Sequence, residues 1–395
     1  MKILVISNLY PPYVLGGYEI LCGQVVEYLK KRNHEVHILT SDHASHLSEG
    51  NIHRDLHLFQ PFDQIAGYQR KDRIRAESYN SMITKRCIKE IKPEVIFIWS
   101  LLRLTPSAAR EAENSRIPVV YTFNDENITS FLEHRFALSP KAFAHWFLDT
   151  FINPEITLKG LQFKNTTCIS KVVKRNLLSK GVSIANSQVI YQGIPLEQFP
   201  PKSEASLHKP IKLLYAGQLH EYKGVHTLIS ALAILHSDKT VPPISLTIVG
   251  KGPPDYTKQL EEIVKKHQLN VEFKGLVPHE KMSSVYTDHD LFIFPSIWEE
   301  PFGLTHLEAM ASGLPVISTA NGGQGEFLLD GQNALTFLPG NEKTLADQIK
   351  RILQDPVLFT NLAKAGQATA ISQFSFDRYI QELEALLAKA MQSRD

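Results

Sequence analysis

The sequence predicts an α/β fold built from two doubly wound parallel sheets. Three observations predict it. Short Val- and Ile-rich runs alternate with helix-length amphipathic segments along most of the chain. The runs are nearly continuous in apolar residues, as expected of strands covered on both faces. The strand–helix pattern then starts afresh after a proline-rich stretch near residue 200. At about 150 residues per domain, 395 residues accommodate two such sheets.

In the first half the candidate strands are 3–7, 36–40, 94–99, 118–122, 166–170 and 188–191, with helices over 18–31 and 74–91. Residues 195–203, Pro-Leu-Glu-Gln-Phe-Pro-Pro-Lys-Ser, read as a linker because proline and polar residues end regular structure. Beyond it the expected strands are 211–216, 245–249, 271–274, 291–295 and 315–319, with helices over 225–236 and 256–267. The chain closes on helical patterns at 342–353 and 379–390. Two sheets of this kind, facing one another, place the C-terminal ends of their strands along one cleft.

Composition removes several function classes. The net charge of +1 argues against a protein whose main task is gripping nucleic acid. With 43% hydrophobic and 21% charged residues, wholesale disorder is excluded. Three scattered cysteines, Cys22, Cys87 and Cys168, form neither a disulfide framework nor a zinc motif. They read as packing residues. The apolar run at 3–7 is too short for a signal-peptide core, and no run of eighteen apolar residues occurs, so a soluble cytoplasmic protein is expected.

The chemistry concentrates in residues 294–316. A strand ends at Pro295, and a helix begins near Gly303 or Leu304 and stops at Gly313. No Ser, Thr, Asp or Asn stands at the cap position. The unpartnered N–H groups and the positive dipole end are left for an anion such as a pyrophosphate. Glu300 precedes this start and Glu308 lies within the helix, so the two carboxylates can accept hydrogen bonds from a sugar and a ribose. The loop Gly217-Gln218-Leu219-His220-Glu221-Tyr222-Lys223-Gly224 follows the first strand of the second sheet. A lysine at a helix start is disfavoured by the dipole unless an anion sits beside it, which points to a phosphate on Lys223. Gly16-Gly17, between the first strand and its helix, allows close backbone approach to a ligand; a plain strand–helix turn explains it equally well.

Taken together these segments resemble the family 4 glycosyltransferases. The resemblance rests on Pro11-Pro12 with Gly16-Gly17-Tyr18-Glu19, Ala216-Gly217-Gln218-Leu219 with Lys223-Gly224, and 249–253 and 275–278. It continues through Glu300-Pro301-Phe302-Gly303-Leu304 with Leu307-Glu308-Ala309-Met310, and 321–331. It implies a GT-B fold of two facing Rossmann-like domains and a retaining, metal-independent enzyme with no cofactor beyond its nucleotide-sugar donor. The implied organisation is an acceptor-side domain at 1–198, a donor domain at 199–375, and a terminal helix at 376–395 packing back toward the first domain. Glu300 would then bind donor-sugar hydroxyls and Glu308 the ribose. The backbone of Phe302, Gly303 and Leu304 would line sugar and phosphates. Lys223 would neutralise the diphosphate, Gly17 would approach it, and Gly275 and Leu276 would frame the base.

Two positions depart from the family pattern. Gln218 stands where an arginine is common, and Asn124 where a histidine often lies near the reacting sugar. Glu300, Lys223 and Asn124 are the expected catalytic residues. A UDP-sugar is the default donor, and the acceptor is a carbohydrate, a lipid-linked molecule or a small molecule. A GT-B sugar-nucleotide epimerase and a non-catalytic nucleotide-sugar binding or scaffold protein are the alternatives.

Three weaker signals stay open. The basic region 70–92 can contact an anionic membrane or an acidic acceptor, or be a solvated helix face. Phe131, Phe136, Phe143, Trp146 and Phe147 can form an acceptor wall or core. His134, His220 and His306 can reach a cleft, or lie at the surface or behind the site.

Overall fold

The computed structural model describes residues 1–43, 48–62, 70–133, 139–202 and 207–393. Two units emerge, each with its own parallel sheet: Met1–Ile190 together with the chain from Ile380 onward, and Tyr191–Tyr379.

The first unit contains strands β1 (Lys2–Ile6), β2 (Glu35–Ser41), β3 (Ile52–Leu56), β4 (Val95–Ile98), β5 (Val119–Phe123), β6 (Asn165–Cys168) and β7 (Gln188–Val189). They pair in the order β3-β2-β1-β4-β5-β6-β7, and every pairing is parallel. Its helices are α1 (Gly17–Lys31), α2 (Arg70–Ile91), α3 (Ser107–Asn114), α4 (Pro140–Phe147) and α5 (Lys171–Ser179). α1 buries Leu21, Cys22, Val25, Val26 and Leu29, the spacing of one helical face, and β1 is apolar and buried from Ile3 to Ile6.

The second unit repeats the plan with β8 (Ile211–Ala216), β9 (Ile244–Val249), β10 (Val271–Gly275), β11 (Leu291–Phe294), β12 (Val316–Ser318) and β13 (Leu335–Thr336), in the order β10-β9-β8-β11-β12-β13. Around it lie α6 (Val225–His236), α7 (Pro254–Lys266), α8 (Met282–Thr287), α9 (Leu304–Ala311), α10 (Glu342–Gln354) and α11 (Pro356–Gln373). In α12 (Phe376–Gln392), Glu384 accepts Arg32 Nε at 2.7 Å and meets His34 Nε2 at 2.5 Å, both within the first unit. Each sheet reverses its winding once, between β1 and β4 and between β8 and β11. Ligands of doubly wound sheets bind at that switch point, beyond the strand C-termini.

Some sequence expectations change. β3 was hidden by its polar composition, Ile-His-Arg-Asp-Leu. It is an edge strand, and buried Arg54 within it donates to the carbonyls of Tyr10 and Pro11. α11 carries small residues and buries only the narrow stripe Phe359, Leu362, Ala363, Gly366 and Ala370, so its periodicity is faint. The stretch read as a linker is packed: Phe199 is buried, with its ring 5.9 Å edge-on to both His279 and Tyr286. Ser203, the last residue of that stretch, lies outside the described residues.

The basic region is divided between roles. Arg73 is buried over the Phe131 ring and donates to the Ile156 carbonyl, and Arg70 pairs with Asp149. Lys71, Lys85, Arg86 and Lys89 are exposed. The aromatic set is divided too. Phe131 is core, Phe143 and Phe147 are exposed, and Phe136 lies outside the described residues. All three cysteines are free and buried, and burial pushes the Cys87 and Cys168 thiols up to about 11. Among the described residues no helix is long and apolar enough to cross a membrane.

Candidate active site

The second unit's switch point is built by two loops pressed together. The loop after β8 carries Tyr222, Lys223 and Gly224; the loop after β11 carries Pro295–Glu300. Ile297 and Trp298 donate their N–H groups to the Tyr222 carbonyl at 2.9 and 3.2 Å. Gly224 has φ +69°, and a Cβ there would lie 2.0 Å from the Pro295 carbonyl oxygen. Only glycine permits this approach, so the motif's glycine seats the lysine before it.

Lys223 thereby meets Glu300. Its Nζ lies 2.8 Å from both carboxylate oxygens. Ser296 Oγ donates to Glu300 Oε1 at 2.6 Å, and the Trp298 ring lies 5.1 Å under the ammonium. Lys223 has its anion, as the dipole argument requires; in the structure that anion is Glu300. Glu300 is held from behind as well. Gly323 donates to its carbonyl at 2.6 Å. A Cβ on Gly322 would lie 2.3 Å from its amide nitrogen. The stretch 321–331 thus sets the loop that presents Glu300.

Glu308 is equally constrained. Tyr286 donates its hydroxyl to Oε2 at 2.7 Å, and His279 Nε2 lies 3.3 Å from Oε1. The hydrogen bond to Glu308 raises the His279 pKa above its ordinary value, against the opposing effect of burial. Both glutamates are 6% exposed, neither a solvated loop acid nor a surface helix charge.

Between them α9 begins at Leu304 with Gly303 as cap, and no side chain bonds its first amides. Side chains cap three other helix starts, Ser170 at α5, Asn341 at α10 and Asp355 at α11, while α3, α6, α7 and α8 also begin without one. Gly303 has φ +136°, and a Cβ there would lie 2.7 Å from His306 Nδ1. His306 is fully buried, with Nε2 2.9 Å from Ser318 Oγ. Burial, then the charge of Lys223, pulls its pKa down to about 3. His306 is therefore a neutral packing residue behind the helix start.

The other predicted residues fall as follows. Phe302 is buried against Tyr191, ring centroids 5.7 Å apart, so its side chain is packed away from any ligand. Gln218 is exposed, with its carbonyl accepting the Tyr215 hydroxyl at 2.8 Å. Gly275 takes φ +71° at the end of β10, and Leu276 beside it is 67% exposed. His220 stacks on Tyr222 at 5.1 Å, and His134 lies outside the described residues. In the first unit Gly16 caps α1, and Glu19 accepts the N–H of Gly16 at 3.0 Å. Asn124, beyond β5, is buried and donates Nδ2 to the Trp99 carbonyl at 3.2 Å. Sequence reasoning missed Ser296, His279 and Tyr286. His279 and Tyr286 lie 29 and 22 residues from the carboxylate they hold, with no spacing to mark them; Ser296 lies four residues before Glu300, inside the segment already singled out, and that proximity was the signal that could have found it.

Two sequence families match this chain end to end with one another. The family described as glycosyltransferase family 4 matches residues 15–198, and that described as glycosyl transferases group 1 matches 198–369. The chain belongs to the family 4, group 1 glycosyltransferases.

The transferase is 25% identical to glycogen synthase of Mycobacterium tuberculosis (strain CDC 1551 / Oshkosh) over 401 residues, covering 95% of this chain and 92% of that protein. Spore coat protein SA of Bacillus subtilis (strain 168) is 27% identical over 225 residues, 52% of this chain and 59% of its own. Among solved structures, sucrose-phosphate synthase from Thermosynechococcus elongatus superposes with TM-score 0.75 at 21% identity, covering 99% of each chain. Anabaena Alr3699/HepE in complex with UDP and glucose superposes with TM-score 0.71 at 20% identity, covering 98% of this chain and all of that one. These superpositions show the fold, which is GT-B.

Proposed function

We propose that this transferase moves a sugar from a nucleotide-sugar donor, a UDP-sugar by preference, to a hydroxyl acceptor, with retention of configuration and without a metal ion. One observation carries the reading. The uncapped start of α9 lies in sequence between two buried carboxylates, one paired with Lys223 and one held by Tyr286 and His279. A nucleoside diphosphate sugar has the matching chemistry. Its diphosphate suits the amides of Leu304 and its neighbours and the ammonium of Lys223. Its sugar hydroxyls suit Glu300, and its ribose hydroxyls suit Glu308. The complex of Alr3699/HepE with UDP and glucose supports a uracil nucleotide.

Breaking the sugar–phosphate bond sends its electron pair onto the diphosphate, while the acceptor oxygen bonds to the sugar carbon and its proton passes to the departing phosphate. The charge that develops there meets Lys223 and the helix N-terminus, preorganised donors of the kind that dominate such catalysis. Both glutamates nearby are already engaged by protein groups, which supports a site that works without a divalent ion. A cytoplasmic location completes this reading.

A panel of nucleotide sugars in thermal unfolding tests it. A ligand at one hundred times its dissociation constant adds about 2.7 kcal/mol. The expected hit is a UDP-sugar, whose labelled form then yields a product of retained anomeric configuration by NMR, with or without EDTA. No stabilisation by any nucleotide sugar contradicts the reading.

A further inference from the structure

Lys223 sits in more than an ion pair. Three rings stand round its ammonium: the Trp298 centroid lies 5.1 Å from Nζ, that of Tyr222 5.6 Å and that of Phe294 5.7 Å. All three are within the ~6 Å over which the face of an aromatic ring attracts a cation. The rings are themselves fixed. Phe294, at the end of β11, is buried, with Tyr215 stacked on it at 5.6 Å and His306 tilted against it at 4.6 Å. Tyr222 meets Trp298 edge to face at 5.6 Å and stacks with His220 at 5.1 Å. The N–H groups of Ile297 and Trp298 on the Tyr222 carbonyl lock the two loops that bear these rings. Tyr222 and Trp298 are 43% and 44% exposed, yet the Lys223 side chain beside them is largely buried. Two rings stand half in water and help to keep water from the ammonium.

We propose that Trp298, with Tyr222 and Phe294, forms a positioning cage that holds the Lys223 ammonium in place without cancelling its charge. The inference rests on the transferase reading, in which that charge meets the diphosphate. A lysine stem is long and flexible, and among the described residues Glu300 is the one acid paired with Lys223. When a phosphate draws the ammonium away from Glu300, something else must keep it oriented. A second carboxylate would do so by neutralising the charge that the leaving group needs. A ring attracts the cation through its quadrupole and carries no net charge, so the whole positive charge stays available to the departing diphosphate. Trp298 lies nearest of the three and is of the ring type that binds cations best, so its loss should be felt most.

The test is a double-mutant cycle on the full chain, read by single-turnover cleavage of UDP-glucose. Its members are Trp298→Leu, Trp298→Phe, Lys223→Met, and Trp298→Leu combined with Lys223→Met. Trp298→Leu should slow cleavage about 5- to 30-fold, the worth of one cation–π contact on a largely buried ammonium. Trp298→Phe should recover most of that loss. UDP affinity by calorimetry should move much less, because positioning serves the charge that appears only in the transition state. In the Lys223→Met chain, Trp298→Leu should cost nothing further. An equal loss in both backgrounds, or a phenylalanine no better than leucine, overturns the proposal. NMR of the unliganded, lysine-labelled chain reads the cage without any donor and without Lys223→Met, should that variant fail to fold. With Lys223→Arg to assign the signal, ring currents should place the Lys223 side-chain protons upfield of an exposed lysine, and Trp298→Leu should return them. Protons that stay where they were overturn the cage. A parent chain that does not cleave UDP-glucose sinks that choice of donor alone, and the NMR result then decides the cage.

Discussion

Lys223 and Glu300 meet across the switch point of the second sheet, Nζ standing 2.8 Å from both carboxylate oxygens. Their side chains are 12% and 8% exposed, so both charges are largely out of water. Such a pair is held by mutual attraction against a large desolvation cost, and removing one partner strands the other. In the proposed donor site, a diphosphate arriving at α9 would compete with Glu300 for the same ammonium. Donor binding would then be an exchange of anions on Lys223 that frees Glu300 for the sugar hydroxyls.

Glu300→Gln separates the two roles. Gln keeps the shape and loses the charge. Transfer should fall roughly 10- to 150-fold, the value of a charged hydrogen bond of about 1.5–3 kcal/mol. UDP affinity should hold or rise, because Lys223 has lost its competitor. Calorimetry beside steady-state kinetics checks this; UDP binding impaired as badly as turnover contradicts it.

Lys223→Ala should cost about 10²–10³ in single-turnover rate or more, since Gln218 brings no second charge to the diphosphate. It should also destabilise the chain by about 3–5 kcal/mol, because Glu300 is left buried without its cation. The thermal scan and the rapid-quench experiment must move together. Gln218 is exposed, so Gln218→Arg is tolerated and should tighten UDP binding.

His279 gives the site a pH dependence. Its pKa is raised in the folded chain by Glu308, so its contribution to stability is complete below its unfolded value of about 6.5 and is lost as pH rises through the higher folded value. Thermal stability should decline across that window in the parent chain, and the decline should shrink in His279→Gln. The same slope in both chains would show that Glu308 does not depend on His279.

Activity should survive exhaustive chelation. Among the described residues no three His, Cys, Asp or Glu side chains gather to hold an ion, and in the proposed site Lys223 would supply the charge a divalent cation would otherwise bring. Loss of transfer in EDTA, restored by manganese, is the contrary result.

The sequence already carried the two sheets, because buried parallel strands announce themselves as apolar runs such as Leu291–Phe294. It also carried Lys223, Gly303, Glu300 and Glu308, each placed by its offset from a strand end or a helix start. What it could not carry was partnership. Nothing local pairs Lys223 with a carboxylate 77 residues away or sends Tyr286 to Glu308, and the burial of His306 follows from its neighbours Phe294 and Ser318. β3 escaped for a related reason: an edge strand needs little apolar character, so Arg54 could sit in it.

The most direct test is a crystal structure of the protein with UDP. The account predicts a diphosphate at the first amides of α9, with Lys223 Nζ moved from Glu300 to a phosphate oxygen and the ribose hydroxyls on Glu308. A nucleotide bound elsewhere, or bound with Lys223 still clasping Glu300, would contradict it.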